Sequence, residues 1–365
     1  MIESEEHRKN LLNLARRLKY EWYSVPTDEN GEPTQTYLEY LSMMYNPEIA
    51  EIIQVLNFFP KMMSIVKFAK KLNIDKNQLI EKLKYLTEKG FIVNLGKAYS
   101  LPSPLIIWDG PFFLKANYNG ENAKKFAHLG LKFFYDERYY RKWESTADGT
   151  PRNRILTVSE KIEPQDEIVP IEEVYSIIEQ NNDFAVIPCP CRNRQEINGT
   201  RKCRDKYPIH TCILLGAFAK SALMQGDPII REITKEEARE LTKNASEIGL
   251  VHSTDNVGIN CRLICACCEC CCALLTGLTK FNYPRAIGKA NYIALIDEDL
   301  CEGCETCITR CKFHAIKIED LAKIDTNKCM GCGLCAVTCP NDAITMKRFE
   351  REQVPLQREE IEIIE

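Results

Sequence analysis

The sequence lacks the features of a membrane or secreted protein. Its longest apolar runs, Ile171–Ile178 and Ile213–Leu223, are interrupted by polar residues, charge or Gly. Both are well short of the roughly 20 residues needed to cross a bilayer. The start, Met1–Glu6, is acidic, whereas a secretory signal begins with basic residues followed by an apolar stretch. We therefore expect a cytoplasmic protein with no membrane span.

The low net charge and the lack of nucleotide-binding motifs limit which ligands and partners are expected. The net charge of −4 is too small to draw the molecule to nucleic acid or a membrane by itself. No G-x-G-x-x-G or P-loop motif occurs, so we expect no flavin, nicotinamide or ATP site. Cysteine is absent before Cys189, and all 19 cysteines lie from there onward. In a reducing cytoplasm, such an accumulation favours metal binding over disulfides.

Most of the chemistry lies in a repeated cysteine motif, C-x2-C-x2-C-x3-C. Both copies continue to an Ala-Ile pair, which indicates two copies of one structural unit. The first copy contains Cys301, Cys304, Cys307 and Cys311, and the second contains Cys329, Cys332, Cys335 and Cys339. Zinc knuckles also use C-x2-C, but as two separated pairs. Three close cysteines plus a fourth, occurring twice, favour iron–sulfur clusters instead.

The repeat resembles the bacterial-type ferredoxins that hold two 4Fe–4S clusters. In this arrangement the fourth cysteine of each motif binds the cluster of the other repeat. Cluster 1 is therefore predicted to use Cys301, Cys304, Cys307 and Cys339, and cluster 2 to use Cys329, Cys332, Cys335 and Cys311. Pro340 follows Cys339 as in that family, but Lys312 follows Cys311. The lysine charge is expected to shift the potential of the neighbouring cluster.

A second group of cysteines precedes the repeat. Its members are Cys189, Cys191, Cys203 and Cys212, followed by Cys265, Cys267, Cys268, Cys270, Cys271 and Cys272, with Cys261 nearby. This density predicts one or two further 4Fe–4S clusters, with zinc as the alternative. Their partition stays open. A third C-x2-C-x2-C spacing, Cys265, Cys268 and Cys271, would form one set and Cys267 with Cys270 another, whereas a helix would align Cys261, Cys265, Cys268 and Cys272.

Four other residues lie beside these cysteines. His210 and His252 are considered as iron ligands or proton shuttles, although a lone histidine is more often structural. Arg192 and Arg194 are considered as anion or cluster partners, with surface ion pairs as the favoured interpretation. No catalytic residue is predicted. The combination of C-P-C-R, H-x-C and the dense cysteine run ahead of a ferredoxin repeat resembles a group of ferredoxin-like proteins of anaerobes.

The N-terminal part shows helix and turn signals without cysteine. Ser64 and Asp75 are predicted helix caps, and Gly90 a helix stop. Two short strands, Phe91–Leu95 and Ala98–Leu101, should flank a turn at Gly96 and Lys97. The predicted inward residues are Ile65, Phe68, Leu72, Leu79, Leu83 and Leu86. This order resembles a winged helix-turn-helix domain.

We predict an α+β multidomain chain with a helical, winged-helix N-terminal domain, a Cys-rich α/β middle domain and a C-terminal ferredoxin-like module. The predicted units are residues 1–46 (helices), 47–101 (winged helix-turn-helix-like), 102–180 (a connecting region without chemistry), 181–290 (Cys-rich), 291–347 (ferredoxin) and 348–365 (charged tail). The length supports two to four structural units at about 150 residues per domain.

Three functions remain open at this level. The favoured one is an electron-transfer protein or subunit that relays single electrons through several clusters to a larger oxidoreductase partner. The second is an iron–sulfur transcription regulator, for which the predicted helix Lys76–Lys89 offers Asn77 and Gln78 but no arginine to read bases. DNA binding is thus less favoured than protein docking. The third is an oxidoreductase with an active-site cluster in the Cys-rich domain.

Overall fold

The computed structural model describes residues 1–21, 25–59, 61–102, 104–113, 121–143, 145, 149–158, 173–224, 226–257, 260–348 and 362–364. Helices and strands are mixed along the chain, as the α+β prediction requires. Residues 159–172 of the predicted connecting region and 349–361 of the predicted tail lie outside the described residues. Among the residues described, no helix is both long and apolar enough to span a bilayer.

The N-terminal part consists of helices packed on a small sheet. Its elements are α1 Glu5–Glu21, α2 Gln35–Met44, α3 Pro47–Ile52, β1 Lys61–Ser64, α4 Ile65–Leu72, α5 Lys76–Glu88, β2 Val93–Leu95 and β3 Ala98–Ser100. Ser64 caps α4 by accepting from the backbone N–H of Lys67 at 3.3 Å. Asp75 caps α5 by accepting from Asn77 and Gln78. These are the caps the sequence predicts, and they fix where both helices begin.

The sheet of this part contains strands from both ends of the chain. β1 pairs antiparallel with β3, and β3 with β2. On its other edge β1 pairs in parallel with β14, Glu362–Ile364. The order of α4, α5 and the β2–β3 hairpin follows the predicted pattern, with β1 as an addition; the winged-helix assignment itself stays a prediction. The end of the predicted tail returns to the N-terminal sheet.

The predicted connecting region contains α6 Pro104–Phe113, α7 Glu121–Leu131, a π-helical turn Lys132–Asp136 and α8 Tyr140–Trp143. Aromatic rings form much of its core. Trp108 stacks on Phe134 with ring centroids 4.2 Å apart, and Tyr40 of α2 meets Phe126 edge to face at 5.1 Å. Because such pairs bury large apolar areas, this region is packed firmly against the N-terminal helices.

The middle part is a six-stranded sheet flanked by helices. Its strands are β4 Asn153–Ile155, β5 Phe184–Pro188, β6 His210–Leu215, β7 Arg231–Ile233, β8 Val251–Asp255 and β9 Leu263–Cys267. They lie in the order β4-β8-β9-β6-β5-β7, with antiparallel pairing between every pair of neighbours. The helices are α9 Val174–Glu179, α10 Pro190–Ile197, α11 Gly216–Met224, α12 Lys235–Glu247 and α13 Ala273–Thr279.

The C-terminal part is built from two similar halves. Its elements are β10 Tyr292–Ile296, α14 Thr306–Arg310, β11 Ile316–Ile318, β12 Ala322–Ile324, α15 Leu334–Val337 and β13 Ile344–Arg348. β10 pairs antiparallel with β13, and β11 with β12. Each half carries motif cysteines in the loop that leads into its short helix, so the sequence repeat is also a structural repeat.

Candidate metal centres

The cysteines predicted to hold cluster 1 line a cavity near the surface. Its lining includes Cys301, Cys304, Cys307 and Cys339. The first three cysteines of the first motif and the last cysteine of the second motif thus surround one space, as the crossed arrangement requires. Cys304 is exposed, and hydrogen bonding to Thr306 lowers the pKa of its thiol. Apolar side chains such as Leu300 and Ile344 complete the lining.

The second ferredoxin group lies deeper. Burial raises the pKa of Cys332 to about 12, with the nearby Cys311 and Cys329 as further causes. Burial also raises the pKa of Cys335, with Cys332, Cys329 and Cys311 among its neighbours. Thiols buried in this way form thiolates only when a cation compensates for the lost hydration. Without a bound cation these thiols would therefore stay protonated.

The Ala-Ile pair after each motif has a structural role. The backbone N–H of Ala315 donates to Sγ of Cys311 at 3.3 Å, and that of Ala343 donates to Sγ of Cys339 at the same distance. Hydrogen bonds to cluster sulfurs are one of the means by which a protein sets a cluster's reduction potential. The repeated pair therefore supports the fourth cysteine of each motif.

Six cysteines of the middle part form a closed ring of side-chain contacts. In order around this six-thiol ring they are Cys189, Cys191, Cys272, Cys267, Cys265 and Cys212, and each contacts its two neighbours. The thiols of Cys191 and Cys212 hold the pKa of Cys189 well below its ordinary value. Cys191 and Cys265 are half-buried, the other four are buried, and none is disulfide-bonded. Cys189 follows β5, and Cys191 lies in the first turn of α10. Cys212 belongs to β6, Cys265 and Cys267 belong to β9, and Cys272 directly precedes α13.

Four other cysteines make a compact group, the four-thiol group. Cys203, Cys268, Cys270 and Cys271 have sulfurs that all lie within 4.8 Å of one another. Cys271 lies 3.6 Å from Cys203 and 3.7 Å from Cys270. Hydrogen bonds from the other three thiols hold the pKa of Cys268 well below its ordinary value. Cys203, Cys268 and Cys271 are buried.

The pleat of β9 explains this partition. Side chains alternate between the two faces of a strand, so Cys265 and Cys267 share the face of the six-thiol ring. Ala266, on the other face, packs with the four-thiol group. This grouping differs from both pictures considered from the sequence, because β9 is a strand and the chain turns after it. Cys268 joins Cys270 and Cys271 rather than Cys265, and no helix covers Cys261 to Cys272.

Arg192 lies between the two thiol groups. Its guanidinium donates to the backbone oxygen of Ala266 at 2.9 Å and to Thr211. Cys189 and Cys212 of the ring, and Cys268 of the four-thiol group, are close enough to raise the pKa of Arg192 despite the opposing effect of burial. The side chain is fully buried. The expectation of a surface ion pair is therefore wrong for Arg192.

Arg194 is also buried, at 1% exposure. Its guanidinium lies 3.7 Å from the centroid of Trp108 and 4.4 Å from that of Phe112, and it pairs with Asp109 at 2.7 Å. The surface interpretation is wrong here too. Because cation–π contacts strengthen when they are desolvated, Arg194 fastens α10, which carries Cys191, to α6.

The two histidines do not belong to the four-thiol group. Nε2 of His252 lies 3.0 Å from Oγ of Ser246 and 3.1 Å from the backbone oxygen of Thr242, and burial lowers its pKa. His210 is exposed at the start of β6. The assignment of either histidine as an iron ligand or a proton shuttle stays a prediction.

The ferredoxin part makes contacts with the middle part that the sequence did not predict. The backbone N–H of Val158 donates to the oxygen of Cys332 at 3.0 Å, and Oγ1 of Thr157 donates to the oxygen of Gly331 at 2.8 Å. Elsewhere, Nζ of Lys312 lies 3.1 Å from Oε1 of Glu269. Glu269 separates Cys268 from Cys270, so the lysine next to Cys311 reaches the segment of the four-thiol group.

The comparison with known families agrees with the C-terminal geometry. A family model described as a 4Fe–4S dicluster domain matches residues 294–346. No curated protein matches the chain. The chain therefore contains an iron–sulfur module of ferredoxin type, a class of domain used in electron transfer.

Proposed function

We propose that this protein is an electron-transfer protein or subunit that passes single electrons through two ferredoxin clusters to a third iron–sulfur centre in the six-thiol ring. In this proposal Cys301, Cys304, Cys307 and Cys339 hold cluster 1, and Cys329, Cys332, Cys335 and Cys311 hold cluster 2. The shared cavity of the first group and the mutual proximity of the second support these ligand sets.

The observation that carries the proposal is the contact between cluster 2 and the central sheet. The loop of Cys332 is hydrogen-bonded to Val158, three residues after the end of β4. Strand β4 pairs with β8, and β8 pairs with β9, which carries Cys265 and Cys267 of the ring. Covalent and hydrogen-bonded structure thus runs without a break from one cluster loop to the next set of thiols.

The six-thiol ring suits a polynuclear centre rather than a single ion. Each thiol contacts two neighbours instead of all the others, so the sulfurs surround a space instead of converging on a point. Six thiols are also more than the four corners of one cubane require. An iron left open for substrate is therefore less favoured than a fully ligated relay.

The proposed partner is a larger oxidoreductase that docks at cluster 1. Next to the exposed Cys304, the apolar side chains of Leu300 and Ile308 are 48% and 38% exposed. Exposed acidic residues lie close to them along the chain: Asp297, Glu298, Asp299, Glu302 and Glu305. An apolar patch with an acidic rim favours a partner with a basic rim, because complementary charge speeds the encounter.

For the N-terminal part we propose a scaffolding or docking role in preference to DNA binding. Nδ2 of Asn193 donates to the backbone oxygen of Phe112 at 2.8 Å, and Arg194 is stacked on the same helix. These contacts join α6 to α10, which carries Cys191 of the ring. On the predicted recognition helix, Lys82 is paired with Glu48, which leaves less positive charge for phosphate.

The test is iron and acid-labile sulfide analysis with EPR spectroscopy on the anaerobically purified full chain. Cys267→Ser should remove the signal of the third centre while both ferredoxin signals remain, because Cys267 has no role in the C-terminal module. Cys261→Ser, in the same segment but outside both thiol groups, is the matched control and should keep every signal. Unchanged iron and sulfide in all three of Cys267→Ser, Cys191→Ser and Cys212→Ser would contradict a cluster in the ring, because four ligands among six thiols leave only two that are not needed.

A further inference from the structure

The four-thiol group differs in shape from the six-thiol ring. Each of its sulfurs contacts the other three, which makes six pairs among Cys203, Cys268, Cys270 and Cys271. This is the pattern of the corners of a tetrahedron. In the six-thiol ring, by contrast, no three of the six sulfurs lie within 4.8 Å of one another.

The separations match a single metal ion. A tetrahedral ion with metal–sulfur bonds of about 2.3 Å has ligand sulfurs about 3.8 Å apart. The sulfur of Cys271 lies 3.6 Å from one partner and 3.7 Å from another. In a cubane each thiolate binds a different iron, and the ligands are therefore spread much further apart. Within the described part of the chain, this is the one set of metal-ligating groups found within 4.8 Å of one another; the ferredoxin cysteines do not form such a set.

We propose that Cys203, Cys268, Cys270 and Cys271 bind one tetrahedral metal ion, zinc or iron, and not an iron–sulfur cluster. Four thiolates are a donor set that both metals accept. All four positions are taken by protein, so the site has no opening for a substrate. It is a structural ion if zinc occupies it and a one-electron carrier if iron does.

The surroundings offer the charge that such a site needs. Four thiolates around a divalent ion carry a net negative charge. The guanidinium of Arg192 lies close enough to Cys268, and that of Arg201 close enough to Cys203, to stabilise a thiolate there. The side chain of Arg201 is only 4% exposed and pairs with Glu196 at 3.3 Å. Buried cations held in this way stabilise the negative charge of the four thiolates.

The site also joins three parts of the molecule. Cys203 comes from the loop between α10 and β6, and the other three cysteines come from the turn between β9 and α13. Lys312 of the ferredoxin part reaches Glu269 in the same turn. One ion would therefore fix the loop, the turn and the contact to cluster 2 together.

The experiment is metal analysis of the full-length protein with zinc, iron and acid-labile sulfide measured on the same sample. Cys270→Ser and Cys203→Ser should each lose one metal ion per chain with no loss of sulfide. Cys267→Ser, in the six-thiol ring, is the control and should keep that ion. Loss of one zinc identifies a zinc site; loss of one iron together with the EPR signal of an isolated high-spin ferric ion identifies an iron site, and both results support the proposal.

Two results would overturn it. One is a joint loss of iron and sulfide in Cys270→Ser, which would make the group part of a cluster. The other is an unchanged metal content in both serine variants. If neither variant folds, the wild-type protein decides: zinc below one per chain, with no isolated ferric signal after oxidation, refutes a single-ion site. These measurements test the four-thiol group alone, so they neither support nor refute the proposed cluster in the six-thiol ring.

Discussion

Replacing Gly333 by alanine should loosen the contact between the cluster 2 loop and the central sheet. A Cβ atom at this position would lie 2.0 Å from the backbone oxygen of Val158, which is far inside van der Waals contact. Because the Cβ atom is attached directly to the backbone and meets a backbone oxygen, no side-chain rotation can relieve the clash. The two segments must therefore separate. The hydrogen bond from Val158 to the oxygen of Cys332 lies directly beside the clash.

The magnitude follows from two contributions. Gly333 has a φ of 79°, and Glu305, at the same place in the first repeat, has a φ of 63°. A side chain at this φ is therefore tolerated, at about 1–2 kcal/mol. Loss of the hydrogen bond adds about 1 kcal/mol. Local opening should thus become about 2–3 kcal/mol easier, which is roughly a 30- to 150-fold increase in an opening equilibrium.

Amide hydrogen exchange, followed by mass spectrometry on peptides that contain residues 153–158, measures this opening. Faster exchange is expected there in Gly333→Ala and not in Glu305→Ala, which changes the matching position of the first repeat. Electron transfer to the third centre should slow in parallel. Unchanged exchange at Val158 in a Gly333→Ala protein with both clusters intact would refute the reasoning.

Three further outcomes are expected. Lys312→Met removes a cation next to Cys311 and should make the potential of cluster 2 more negative in an EPR redox titration; Lys317→Met, on an exposed side chain, should change it less. Asp109→Ala leaves Arg194 buried without its carboxylate and should lower the free energy of unfolding by about 3–5 kcal/mol, seen as a lower thermal midpoint. Binding of the full chain to random duplex DNA should be weak and lost at moderate salt, because Lys82 is already paired; tight, sequence-specific binding would favour the regulator hypothesis.

The ferredoxin part could be predicted because its ligands are local. Three cysteines spaced by two residues must share one loop, and the repeat shows where the second loop lies. The covalent spacing alone thus gives the motif, and the family match covers the same segment, residues 294–346. The contact partners of this part, among them Thr157, Val158 and Glu269, required the fold.

The middle part could not be partitioned in this way. Cys203 and Cys212 are distant in sequence from the dense run, and nothing local says which thiols they meet. The direction of each cysteine in the run depends on where β9 ends, which in turn depends on pairing with β8 and β6. Knowing that Leu263–Cys267 is a strand would have separated Cys265 and Cys267 from Cys268.

The burial of Arg192 and Arg194 could not be predicted from the sequence for a different reason. Arginine is mostly exposed in proteins unless it is paired, so a surface position is the natural expectation for Arg192 and Arg194. Their partners are Cys189, Cys268, Asp109 and Trp108, which lie on separate elements. A charge that is compensated only after folding leaves no sign in its own neighbourhood of the sequence.

The position of Ala266 in β9 determines which cysteines face the six-thiol ring and which face the four-thiol group. It is the spacer that keeps Cys265 and Cys267 two residues apart in β9. A one-residue slip in a strand sends every following side chain to the opposite face. Deleting Ala266 would therefore turn one of these cysteines away from the ring and toward the face of Cys268. A shift of one residue in the strand would therefore disrupt both metal centres at once, although every thiol would still be present.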